Sequence, residues 1–120
     1  AAGITPPGAM RGRALQPLVD GTAEDWLDEV FLQISESQCG RAIRTKRWKY
    51  SVRAPDKTGQ DADSDVYMED FLYDLETDPH ERNNLVSDPR YVDLRATLAE
   101  TLKRRMAEAG EAIPAILPCE

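Results

Sequence analysis

At 120 residues the chain is one domain or part of one. Its 41% hydrophobic and 31% charged residues are ordinary for a folded, soluble protein. A net charge of −7 argues against a general nucleic-acid binder, which presents excess lysine and arginine to phosphates. No run of about 18 apolar residues exists to span a membrane. The opening AAGITPPGAM lacks the basic start and long apolar stretch of a secretory leader.

Cys39 and Cys119 lie far apart and form no dense framework of the kind small secreted domains need. They read as free thiols, although spacing alone leaves their pairing open. His80 is the single histidine, and no CxxC or HxxxH spacing suggests zinc.

Residues 1–25 are rich in proline, glycine and isolated leucines. Leu15, Leu18 and Val19 suit one side of a short turn limited by Pro17, and Asp20-Gly21 stops it. These apolar anchors have no partner of their own, as though the segment lies on another surface. Residues 25–35, DWLDEVFLQIS, end in a strand-like run of Val30, Phe31, Leu32 and Ile34. Residues 41–53, RAIRTKRWKYSVR, are too long for one strand, so the spacing predicts a hairpin of 41–45 and 48–53 with a turn near Lys46-Arg47. On its second arm Trp48, Tyr50 and Val52 share one face, and Lys49, Ser51 and Arg53 the other.

Residues 54–69, APDKTGQDADSDVYME, are acidic and turn-rich and read as an exposed loop. A strand over 70–76 follows, where Phe71, Tyr73 and Leu75 alternate with Leu72 and Asp74. Asp78-Pro79 stops it, Asn83-Asn84 continues the irregular connection, and Leu85-Val86 returns the chain to a core. Asp88 is placed as an N-cap with Pro89 at the first helical position. From 89 to 109 the residues Tyr91, Leu94, Leu98, Leu102 and Met106, with Ala99 beside them, form one helical stripe. Glu100 and Arg104 are spaced to pair, Lys103, Arg104 and Arg105 suit the helix dipole, and Gly110 ends the helix. Residues 111–120 form a tail, an extended strap holding Ile113, Ile116 and Leu117. The expected fold is α+β: a small antiparallel sheet of about four strands, with one long C-terminal amphipathic helix packed on one face.

Three stretches in order resemble the C-terminal subdomain of the sulfatase family (arylsulfatase and choline-sulfatase type, alkaline phosphatase superfamily). The hairpin supplies Arg41, Arg44, Thr45, Lys49 and Tyr50. The strand and turn supply Leu72, Tyr73, Asp74, Leu75, Asp78, Pro79, Glu81, Asn84 and Leu85 without a gap. The opening AGITPPGAMRGRALQPLVDG resembles the segment by which that family leaves its catalytic domain. The resemblance implies that 1–25 connect to a catalytic domain of the same parent chain, and that 26–120 form the subdomain.

It further implies that catalysis belongs to the parent, by sulfuric ester hydrolysis at a formylglycine with a divalent metal, usually calcium. Neither Cys39 nor Cys119 is followed by the x-Pro-x-Arg of the formylglycine signature. In Ser87-Asp88-Pro89-Arg90-Tyr91, Tyr91 stands where that arginine must be. No catalytic, cofactor-binding or metal residue is therefore assigned to this fragment.

Other candidate groups have plainer readings. Arg41, Arg44, Lys46, Arg47, Lys49 and Arg53 could face an anionic substrate, but pairing with acids between Asp56 and Glu81 explains them more simply. Trp48 and Tyr50 could stack on a ligand, yet at alternating strand positions they read as core. His80 beside Glu81 lacks a nucleophile. Asp61, Asp63 and Asp65 start like a calcium loop but lack the glycine and the glutamate at the twelfth position. The chain thus reads as an architectural C-terminal piece of a sulfatase-like hydrolase. The alternatives are a stand-alone protein-interaction module, or a parent that cleaves phosphonate or phosphate esters. Self-association of the isolated chain is expected, because residues 1–34 carry apolar surface. The parent's compartment, cytoplasmic or periplasmic, stays open.

Overall fold

β-Branched and aromatic residues in alternation build the sheet, and a single apolar stripe fixes the helix across it. The computed structural model describes residues 3–119. Its elements are a short helix α1 (Gln16–Val19), β1 (Glu29–Ile34), β2 (Gly40–Thr45), β3 (Trp48–Arg53), β4 (Val66–Asp74), a 3-10 turn (Pro89–Tyr91), α2 (Val92–Glu108) and β5 (Ala115–Leu117). The five strands form one sheet in sequence order, antiparallel except that β5 runs parallel to β4. The α+β class and the helix over one face are as expected.

Register follows from which side chains can be buried. Phe31, Ile43, Tyr50 and Leu72 stand opposite one another across four strands, on the side where Leu98, Leu102 and Met106 of α2 pack. A bulge then keeps β4 in phase. Ser51 faces Phe71 while Val52 faces Glu69, so Asp70 is the extra residue, and its carboxylate meets Arg53 at 3.3 Å. Without that insertion Tyr67 would point away from the helix instead of lying fully buried beneath it.

Three features differ from expectation. β4 begins at Val66, so Val66 to Glu69 belong to the strand rather than to the acidic loop. Pairing on both sides, with β3 and with β5, outweighs the polar flank. The extended tail contributes a fifth strand, since Ile116 sits beside Tyr67 and Leu117 beside Met68. The expected Glu100–Arg104 pair is replaced: Glu100 holds Lys103 at 2.9 Å, and Arg104 reaches Glu108 at 2.9 Å and Glu29 at 2.5 Å. The helix on 89–109 starts with the 3-10 turn, and Asp88 caps it by accepting from the Arg90 N–H at 2.9 Å.

The helix end is a Schellman motif. Gly110 takes φ +89°, its N–H donates to Ala107, and the Glu111 N–H donates to Met106. This reversal carries Glu111 back toward the sheet. No helix among the described residues is long and apolar enough to cross a membrane.

Candidate functional site

The hairpin cations are mostly consumed by acids of the same chain. Arg47 holds Asp74 at 2.8 Å and Glu76 at 3.3 Å, Lys49 holds Glu81 at 2.8 Å, and Arg53 holds Asp70. The simpler reading of that cluster therefore holds for these three of the six cations; Arg44 holds no carboxylate among the described residues, and the other two pair elsewhere. Lys46 pairs with Asp28 at 3.1 Å, outside the acidic stretch. Arg41, only 2% exposed, pairs with Glu111 through Nε at 2.9 and 3.0 Å. Its other nitrogens donate to the Gly40 and Ala62 carbonyls at 2.8 Å each, and the guanidinium lies over the Tyr67 ring. Sequence reasoning missed this partner, because Glu111 reaches Arg41 only through the turn after α2.

The recognisable turn is likewise made of staples. Asp74 caps the start of the turn by accepting from the Glu76 N–H at 3.2 Å. The Arg47 hydrogen bond, before any other influence, holds the Asp74 carboxyl down to about 2. Asp78 accepts from the Asn83 N–H at 2.8 Å, and that backbone bond is the main cause of its lowered pKa. Asn84 bridges the outer edge of β4: its Oδ1 accepts from the Leu72 and Val86 N–H groups at 2.9 and 3.1 Å, and its Nδ2 donates to the Asp70 carbonyl at 3.0 Å. Leu85 adds a backbone bond to Leu72, and Val86 is buried. These residue types are required because each fixes an exposed backbone group that the irregular chain would otherwise leave unpaired.

The remaining candidates are similarly committed. Tyr50 is fully buried and donates its hydroxyl to Glu69, which also pairs with Arg95 of α2; burial pushes the Tyr50 pKa up. Trp48 packs edge-on against Tyr91 with centroids 5.7 Å apart. His80 is exposed, and its neighbour Glu81, at φ +52°, is held by Lys49. Asp61 accepts from the Thr58 N–H and hydroxyl at 2.7 and 3.0 Å, which lowers its pKa. Among the described residues no three His, Cys, Asp or Glu side chains gather as a metal site. The cysteines are free: Cys39 is buried against the Tyr67 hydroxyl, and Cys119 touches Ser87 at 3.5 Å.

What they leave unspent is a face. On the side of the sheet away from α2, Ala42 and Ser51 form a floor of small residues, 1% and 0% exposed. Leu32 borders it from β1 and Phe71 from β4, with Tyr73 next to Phe71 at 5.2 Å between ring centroids. Val30 (54% exposed) and Leu32 (39%) lie at the β1 edge of this face, and Leu117 (47%) lies at the opposite edge, beyond Arg53 and Met68. The alternation of Phe71 and Tyr73 against Leu72 and Asp74 could have revealed it, since the aromatic side of β4 is the one α2 does not cover.

The described residues thus form an α+β lobe with α2 on one sheet face and the motif side chains of its turn bound to backbone groups and neighbouring cations. The sequence model for the N-sulphoglucosamine sulphohydrolase C-terminal family matches residues 1–108, and the chain belongs to that family. Among solved structures, a protein assigned as a sulfatase from Bacteroides thetaiotaomicron superposes with TM-score 0.72 at 25% identity, over 91% of this chain and 22% of its own. A 2-O GAG sulfatase gives TM-score 0.69 at 24% identity, covering 94% and 24%. A protein assigned as a sulfatase from Bacteroides fragilis gives 0.63 at 22% identity, covering 89% and 22%. The chain thus spans under a quarter of these structures. No curated protein matches it. It is a sulfatase-family C-terminal subdomain.

Proposed function

We propose that the chain is the accessory lobe of a sulfatase-type hydrolase, with residues 1–25 as the connection from a catalytic domain and 26–120 packed on that domain. Its role is architectural. Sulfuric ester hydrolysis, with the formylglycine and divalent metal of that family, is assigned to the catalytic domain. The observation that carries this reading is the family match over residues 1–108, against solved sulfatases more than three-quarters of whose length lies outside the matched part. The commitment of the motif side chains to turns and ion pairs supports the division of labour.

Sequencing upstream of Ala1 should find an open frame carrying Cys-x-Pro-x-Arg or its serine equivalent. The whole product should cleave an aryl sulfate in preference to a phosphonate monoester, while the 120-residue chain, supplied with calcium, should give no turnover. Turnover by the short chain would overturn the proposal. Preference of the whole product for the phosphonate would keep the lobe but change the ester.

A further inference from the structure

Beside α2, on its flank toward β5, a groove runs along the lobe. Its walls are Arg95, Ala96, Ala99 and Lys103 of the helix and Ile116 and Pro118 of the tail, around a cavity of about 310 Å³. Ala96 and Ala99 end at Cβ, so the helix wall is shallow between the two cations. Arg95 and Lys103 stand two turns apart, about 12 Å along the axis, a span that about four residues of extended chain would match. The tail side of the groove lies outside residues 1–108, the part shared with the sulfatase C-terminal family.

Arg95 is incompletely satisfied by the lobe itself. Its Nη1 donates to Glu69 Oε2, while the Tyr50 hydroxyl donates to Glu69 Oε1 at 3.2 Å. Its Nε is buried without a partner, the one such side-chain atom among the described residues. A buried N–H lacking an acceptor is costly, and Nε with Nη2 makes the edge of a guanidinium onto which a carboxylate forks. Holding a second carboxylate is no obstacle, since Arg104 of the same helix holds Glu29 and Glu108 together. The acids lining the groove are already engaged: Glu69 as above, and Glu100, 73% exposed, by Lys103.

The rim of β5 adds one backbone anchor. The Ala115 N–H donates to the Asp65 carbonyl at 2.9 Å, so alternation along the strand turns the N–H and C=O of Ile116 away from β4. The other outward positions are Pro114 and Pro118, which have no N–H. An added segment therefore finds a single backbone donor on this rim, and side-chain contacts must select it.

We infer that the groove between α2 and β5 takes an extended segment of a partner protein carrying an aspartate or glutamate. Its carboxylate lies on the Nε–Nη2 edge of Arg95, its backbone meets Ile116, and a small apolar side chain two residues from the acid rests on Ala96 and Ala99. That spacing follows from the one helical turn between Arg95 and Ala99, about 6 Å, against about 3.3 Å per extended residue. Such a contact is short and suits a transient partner.

The test uses the whole gene product, probed with an array of acetylated, amidated hexapeptides in which each position is varied in turn. Aspartate or glutamate should be selected several-fold at one position, with alanine or valine two residues from it. Arg95→Lys keeps a cation for Glu69 but removes the forked edge, and should erase the acidic preference. Ala96→Leu fills the groove from an exposed position and should weaken the selected peptides several-fold, at an unchanged thermal midpoint. Should Arg95→Lys disturb folding, replacing the selected acid by its amide in the peptide reads the same contact on the unaltered protein, and should weaken binding several-fold. An array without acidic preference, an amide peptide bound as well as the acid, or binding indifferent to Ala96→Leu would overturn the inference. A selected peptide that transferred NOEs show bound as a helix would overturn it in favour of a helix lying beside α2.

Discussion

Removing the Arg41 guanidinium would strand four acceptors at once: both Glu111 oxygens and the carbonyls of Gly40 and Ala62. Breaking a buried ion pair from one side leaves an uncompensated charge, at a cost of about 3 kcal/mol or more. Arg41→Ala should therefore lower the urea midpoint by that equivalent, and Arg41→Lys should not restore it, because a point cation cannot fork to three partners. Asp74 offers a second test through pH. Its carboxyl lies at about 2 when folded against an ordinary 3.8, so the unfolded chain takes up the proton first as pH falls. The stability this pairing contributes is present above about pH 4 and is lost as pH falls toward 2. Asp88 titrates low for the same kind of reason, its Arg90 hydrogen bonds, and loses its contribution in the same window. Thermal melts stepped through that window should show a shallower decline for Asp74→Asn than for the unaltered chain, without abolishing it.

Helix α2 depends on three side chains more than on its intrinsic propensity. Leu98, Leu102 and Met106 are buried against Ile43, Tyr50 and their neighbours, and Leu102 is fully enclosed. Leu102→Ala should cost about 2–5 kcal/mol, read as a lower denaturation midpoint at unchanged m-value. This element was legible in the residues, because a stripe, a cap at Asp88 and a stop at Gly110 agreed on one answer. The hairpin was legible for the same reason. β5 was not, since Ala115, Ile116 and Leu117 between two prolines carry no alternation, and only the neighbouring edge of β4 makes them a strand. The start of β4 was hidden too: Val66, Tyr67 and Met68 sit amid acids, and the bulge at Asp70 breaks the period of two across the strand.

Across the whole lobe, the pairing of Arg47, Lys49 and Arg53 with acids of the following stretch could be read in advance. Which sheet face stays open could not. Lys49, Ser51 and Arg53 look like a solvated side in the sequence, and only the register across β1 and β4 sets Leu32 and Phe71 beside them. Arg44 was similarly invisible as an exception until its five neighbours had found acids.

The parallel pairing of β4 and β5 bears on how the polypeptide is made. Two parallel neighbours need a crossover between them, here supplied by α2, so the last strand cannot dock before the helix has been laid. During synthesis, the rim of β4 from Val66 to Met68 stays bare until residues 115–117 leave the ribosome, while Asn84 shields only the stretch from Asp70 to Leu72. A nascent or clipped chain would offer that rim to strands of other molecules. Ala115, Ile116 and Leu117 thus serve as a stopper against edge-to-edge growth.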